Sequence, residues 1–161
     1  MTTTKGSAVL ALHGDTQLSI TREFDAPRAH VWRAFTEPEL IGRWWTGERG
    51  EIVSVDVDLR VGGRWRYVMT AHGGFEVAFH GEYREVDAPA RLARTEVFEG
   101  FPDGEALEET TFAERDGRTT LTVLVTHSCR EHRDAHVESG MEQGMQEALD
   151  LLEQVARSLD G

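Results

Sequence analysis

The sequence predicts an α+β fold, a curved antiparallel β-sheet wrapped around one long C-terminal helix, with two short helices after the first strand. Three observations predict it. Between residues 51 and 125 apolar residues recur at every second position, in stretches broken by short turns bearing Gly, Pro or Asp. That is the pattern of antiparallel strands with one buried face. From Val137 the period changes, and Met141, Met145, Ala148, Leu152, Val155 and Leu159 follow at steps of four and three. Between the first strand and the sheet stand two helix-start signals, Asp25-Ala26-Pro27 and Thr36-Glu37-Pro38-Glu39. A sheet with one apolar face must cover it, and the terminal helix is the only element large enough.

Each element can be justified in order. Residues 1–15 read as an N-terminal extension, with a short strand over 8–12 and a turn at His13-Gly14-Asp15; residues 16–161 read as one domain. TQLSITREF (16–24) alternates, with Leu18, Ile20 and Phe24 on one face and Ser19, Thr21 and Glu23 on the other. Asp25 caps the first helix and Pro27 occupies its first turn, with Val31 and Phe35 inward. Thr36 and Glu39 form a capping box for a second, short helix. Its continuation pairs Leu40 with Trp44 and Ile41 with Trp45, so the two adjacent tryptophans point about 100° apart. One then anchors the helix while the other approaches the sheet or the rim of a cavity.

The strands follow. Val53, Val55, Val57 and Leu59 share a face, and Gly62-Gly63 makes a hairpin turn. Trp65, Tyr67 and Met69 oppose Arg64 and Arg66 on the next strand. Phe75, Val77, Phe79 and Tyr83 share a face with Gly81 between them. Strands over 91–98 and from 107 come next, with a Gly- and Pro-bearing loop between them. Asp116-Gly117 then turns the chain into a strand with Leu121, Val123 and Val125 inward. The terminal helix, over about 131–159, would run roughly 43 Å unbroken.

Composition narrows the function. Hydrophobic residues are 39% and charged residues 29% of 161, as in a folded soluble domain. The net charge of −12 argues against nucleic acid and anionic membrane as partners. Arg60, Arg64 and Arg66, the densest basic group, read as the solvent face of a hairpin. The lone Cys129 permits no internal disulfide and suits a reducing cytosol. The start of the chain lacks the apolar core of a signal peptide, and no stretch reaches the roughly 20 apolar residues of a membrane span, so a cytoplasmic protein is expected.

The stretches ITREFDAPRAHVWRAFTEPELIGRWW, DVDLRVGGRWRYVM, FHGEYREVDAPARL and ESGMEQGM together resemble the SRPBCC superfamily of START-like domains, and within it the activator of heat-shock protein 90 ATPase homologue-like branch. The resemblance covers about residues 16–158. It implies the helix-grip fold, with an apolar cavity between sheet and C-terminal helix. It also implies a range of functions: carriage of lipids, binding of hormones or aromatic polyketides, cyclase activity, or stimulation of a chaperone ATPase. The last normally needs an additional chaperone-binding domain, which this chain lacks. The chain departs from relatives at Thr46-Gly47 and at Ser128-Cys129.

The candidate site follows from these readings. His132 and His136 lie four apart, but no third ligand accompanies them in a metal-binding pattern, and they read as an exposed first turn. No GxSxG, GxGxxG or nucleophile–base set is present, so no catalytic residue, metal or cofactor is assigned. Glu96, Glu108 and Glu109 lie on strands, where an inward one could serve as a general acid. Gly140-Met141 and Gly144-Met145 repeat at a spacing of four, and two helix glycines cost about 1 kcal/mol each. That cost points to close backbone approach or vacant volume beside flexible methionines. The expected ligand wall is Trp44, Trp45, Trp65, Tyr67, Met69, Phe79, Tyr83, Phe98, Phe101, Met141 and Met145. Trp65, Tyr67 and Tyr83 would orient a small hydrophobic molecule, and Phe98, Phe101 and Pro102 would form the mouth. Chaperone interaction stands second, and a cyclase or hydrolase using Tyr83 or Glu96 third. A homodimer is left open.

Overall fold

Period-two alternation builds an inner face strand by strand. The computed structural model describes residues 8–159, so residues 1–7 of the N-terminal extension lie outside the described residues. The rest of that extension supplies β1 (Val9–His13), paired with β2 (Gln17–Phe24). Six more strands follow: β3 (Gly50–Val57), β4 (Arg64–Ala71), β5 (Glu76–Asp87), β6 (Arg91–Phe98), β7 (Ala106–Arg115) and β8 (Arg118–Thr126). All neighbours are antiparallel, in the order β1-β2-β8-β7-β6-β5-β4-β3. Two short helices, α1 (Arg28–Thr36) and α2 (Pro38–Ile41), precede β3, and α3 (Arg130–Glu138) and α4 (Met141–Ser158) end the chain. Among the described residues, no helix is long and apolar enough to cross a membrane.

The helix α4 fills the curve of the sheet. Ala148, Leu149, Leu152, Val155 and Ala156 are buried against Leu18, Phe24, Leu121 and Val125 of the strands and Val31 of α1. Arg22 sits in the inward register of β2 between Ile20 and Phe24, a charge among apolar positions. Its guanidinium donates to Asp150 at 2.8 Å and Glu153 at 3.2 Å, tying the sheet to α4.

Four local expectations need correction. The terminal helix is not continuous: Gly140, at φ +84°, breaks it, because a left-handed residue ends the ladder. The capping box does not form, since Thr36 belongs to the end of α1 and its hydroxyl donates to the Trp32 carbonyl at 2.7 Å. Asp25 does not cap α1 either; its carboxylate pairs with Arg118 at 3.2 Å, and Pro27 stands at the helix start. The fourth concerns the first hairpin. A β-bulge between Ile52 and Ser54 turns Val53 out to 55% exposure, and residues 58–63 form a longer connection than a two-residue turn. Phe75 likewise lies before β5 and is exposed. The Asp116-Gly117 turn is as expected, with φ of 54° and 75° at the two central residues.

Candidate functional site

At one end of the grip the inner face stops being apolar. Register explains how. Arg94 on β6 lies opposite Glu108 on β7 and opposite Tyr83 on β5, so all three share the inner face with Tyr67 on β4 and with Glu96, two residues along β6. The Arg94 guanidinium donates from Nε to Glu108 Oε1 at 2.9 Å and from Nη1 to the Tyr67 hydroxyl oxygen at 2.8 Å. It also stacks over the Trp65 ring, 3.8 Å from the centroid. Tyr67 and Tyr83 are buried, and desolvation raises both phenol pKa values above the ordinary range.

Gly81 makes this arrangement fit. A Cβ there would lie 1.8 Å from the Thr95 carbonyl oxygen and 2.7 Å from Trp65 Nε1. Without that side chain, the Trp65 indole crosses β5 and donates to Thr95 O at 3.0 Å. The Trp65 N–H is therefore spent on backbone rather than offered to a ligand.

Glu96 is the unusual member. Burial first, then the neighbouring Glu108 charge, hold its carboxyl well above the usual carboxylate range, the two residues being diagonal neighbours across β6 and β7. Glu108 answers Arg94, whereas Glu96 has no arginine partner among the described hydrogen bonds and is pushed toward its protonated form. Beyond β8, His127 stacks edge-on with His136 of α3, with Nε2 3.0 Å from Nδ1. Burial, then His136, push His127 down to about 4, and burial also lowers His136, so both rings are neutral at neutral pH. His132 and His136, expected on an exposed first turn, are both half-buried. Among the described residues, no group of three or more His, Cys, Asp or Glu side chains is arranged to hold a metal ion.

The two tryptophans that end α2 diverge. Trp44 is buried, stacks on Phe35 and donates its indole N–H to the Ala34 carbonyl at 2.7 Å, so it anchors the helix pair and stands apart from the polar end. Trp45 packs edge-on against Tyr67 and Phe79, with centroids 5.2 Å and 5.4 Å away. Phe79 continues to Phe98, which is 42% exposed, and Phe101, 49% exposed, meets His132 edge-on. Met141 and Met145 of α4 are half-buried against the core. Met69 is buried but packs beside Gly50, outside the main core cluster. Trp45, Tyr67, Tyr83 and Phe79 are thus brought together, with Phe98 beside them, whereas Trp44 and Met69 are not.

Sequence reasoning misses Arg94 and His127. For Arg94 a signal exists: it occupies the inward register between Leu92 and Glu96. Gly144 also has a specific explanation, since a Cβ there would lie 3.0 Å from Arg49 Cδ. Two clefts, of about 330 Å³ along Arg64, Arg66, His80 and Glu99 and about 390 Å³ along Arg49, His72 and Glu147, lie outside this inner face.

The fold recurs in other proteins. A crystal structure from Rhodobacter sphaeroides matches with a TM-score of 0.87 at 26% identity, covering 94% of this chain and 99% of that one. A Mycobacterium smegmatis protein matches with 0.83 at 28% identity, over 96% and 99%. An AHSA1-like protein from Aeromonas hydrophila matches with 0.65 at 26% identity, over 87% and 92%. No curated protein matches the chain. The family model described as activator of Hsp90 ATPase homolog 1-like protein matches residues 25–157, and the chain belongs to that family.

Proposed function

We propose that this protein binds a small hydrophobic molecule between the inner face of the sheet and helices α3 and α4. One contrast carries the reading. At the far end, inward Phe24, Phe112, Leu121 and Leu152 are closed off from solvent. At this end Trp45, Phe79, Glu96, Glu108 and Met141 face inward yet keep accessible surface. An interior serving only stability would close over such residues. Aromatic walls around a few fixed polar groups suit an apolar ligand with a small polar feature. The half-exposed Phe98 and Phe101 stand where it would enter.

The test is a titration of the full chain with acetylnaphthalene, read by tryptophan fluorescence, with native mass spectrometry to count bound molecules. Saturable one-to-one binding is expected, weakened about tenfold by Trp45→Ala or Phe79→Ala. Absence of saturable binding by aromatic probes would count decisively against the reading. The family description favours one second reading, stimulation of a chaperone ATPase. An ATPase assay with the host's own chaperone decides it, and unchanged turnover with micromolar protein removes it.

A further inference from the structure

The polar end of the groove has an unequal supply of donors and acceptors. Tyr67 accepts from Arg94, and among the described hydrogen bonds its own proton meets no acceptor. Arg94 has given Nε to Glu108 and Nη1 to Tyr67, and Glu108 is held by that pair with its side chain 15% exposed. Glu96 has no partner among the described hydrogen bonds to arginine or backbone, and it retains surface inside the grip. The donors at the polar end are therefore the O–H of buried Tyr67, the Glu96 carboxyl and the remaining N–H groups of Arg94, whose charge Glu108 answers. Such a group of donors receives a neutral oxygen.

We propose that Glu96 and Tyr67 form a recognition site for the carbonyl oxygen of a hydrophobic ligand, with Arg94 and Glu108 as the positioning residues. The proposal rests on the reading of the groove as a ligand site. In the complex the ligand oxygen accepts from the Glu96 carboxyl and the Tyr67 hydroxyl, and no proton leaves the site. The groups facing Glu96 are Arg94 of its own strand, Glu108 of β7 and the phenols of Tyr67 and Tyr83; His127 and His136 approach from the side of Glu108. Two carboxyl side chains at this end, Glu96 and Glu108, stand against one arginine and disfavour an anionic ligand.

Three probes of one shape test this on the full chain: acetylnaphthalene, its oxygen-free analogue ethylnaphthalene, and naphthoate. The ketone is expected to bind about tenfold more tightly than either of the others at neutral pH. Glu96→Leu should abolish that preference, Glu96→Gln should keep most of it because its amide still donates, and Tyr67→Phe should remove part. A separate readout needs no ligand. Infrared spectra of the free protein at neutral pH should contain a protonated-carboxyl C=O stretch that is absent from Glu96→Gln. Equal affinity for ketone and hydrocarbon overturns the carbonyl site while leaving the groove intact. Tightest binding by naphthoate overturns it in favour of Arg94 reading an anion, and absence of the infrared band overturns it directly. Binding of none of the probes overturns the groove reading as well.

Discussion

Gly81 shows how a single missing side chain can hold a site together. Its Cβ would overlap the Thr95 carbonyl at 1.8 Å, so Gly81→Ala must separate β5 from β6 or expel the Trp65 ring. A loss of about 3 kcal/mol in chemical denaturation is expected, large for one methyl group. Glu96 makes the opposite kind of prediction. Its pKa is raised in the fold, so the unfolded chain releases this proton at a lower pH than the native protein does. Stability is therefore lost as pH rises from the ordinary carboxylate range toward the native pKa, at up to about 1.4 kcal/mol per unit. Glu96→Gln removes that loss, and melting curves from pH 5 to 8, roughly the span over which maximal stability usually lies, should be flatter than those of the wild type. His127 acts at the acid end. Its pKa falls to about 4, so stability drops as pH falls through the range between the ordinary imidazole value and that one, and His127→Gln should lessen the drop.

At the scale of elements, the break between α3 and α4 decides what α3 packs against. With Gly140 left-handed, α3 turns away from the line of α4, bringing His136 to His127 and His132 to Phe101. Gly140→Ala keeps the composition but strains that turn, and should cost about 1 kcal/mol in denaturant unfolding. The tryptophan pair divides along the same lines. Trp44→Ala empties a buried site and removes an indole hydrogen bond, so about 3–5 kcal/mol of stability should go. Trp45→Ala should cost less stability and show its main effect in the probe titration. Helical spacing alone makes the two tryptophans diverge. Their different fates require the positions of Phe35, Tyr67 and Phe79.

At the scale of the whole molecule, the inner face carries one arginine–carboxylate set at each end, Arg22 with Asp150 and Glu153 and Arg94 with Glu108. Arg22 secures its end by joining β2 to α4. Removing one partner of a buried charge set is costly, so Arg22→Ala should lower the unfolding free energy by about 3 kcal/mol. Its distance from the polar end in the register means probe affinity should be unchanged wherever the protein is folded. The element order, the two short helices, the Asp116-Gly117 turn and the inward set Leu18, Ile20, Leu121 and Val125 are all legible in the sequence. They are local properties, because period and turn chemistry act over a few residues.

Strand alternation alone also puts Tyr67, Tyr83, Phe79 and Glu96 on definite strand faces. It does not show that Arg94 meets Tyr67, 27 residues away in sequence, or that Glu108 falls opposite Arg94. Those meetings depend on strand register, which a β-bulge between Tyr83 and Glu85 shifts along the β5–β6 pair. The sequence by itself determined which residues form strands and helices and which sides are apolar. Only the tertiary structure decided that Gly140 would split the last helix and that Trp44 would be core while Trp45 packs on Tyr67 and Phe79. It also decided that two carboxyls and an arginine would share one end of the grip. The reason is physical: periodicity fixes a side chain's direction, whereas its neighbours are fixed by the packing of elements far apart in the chain.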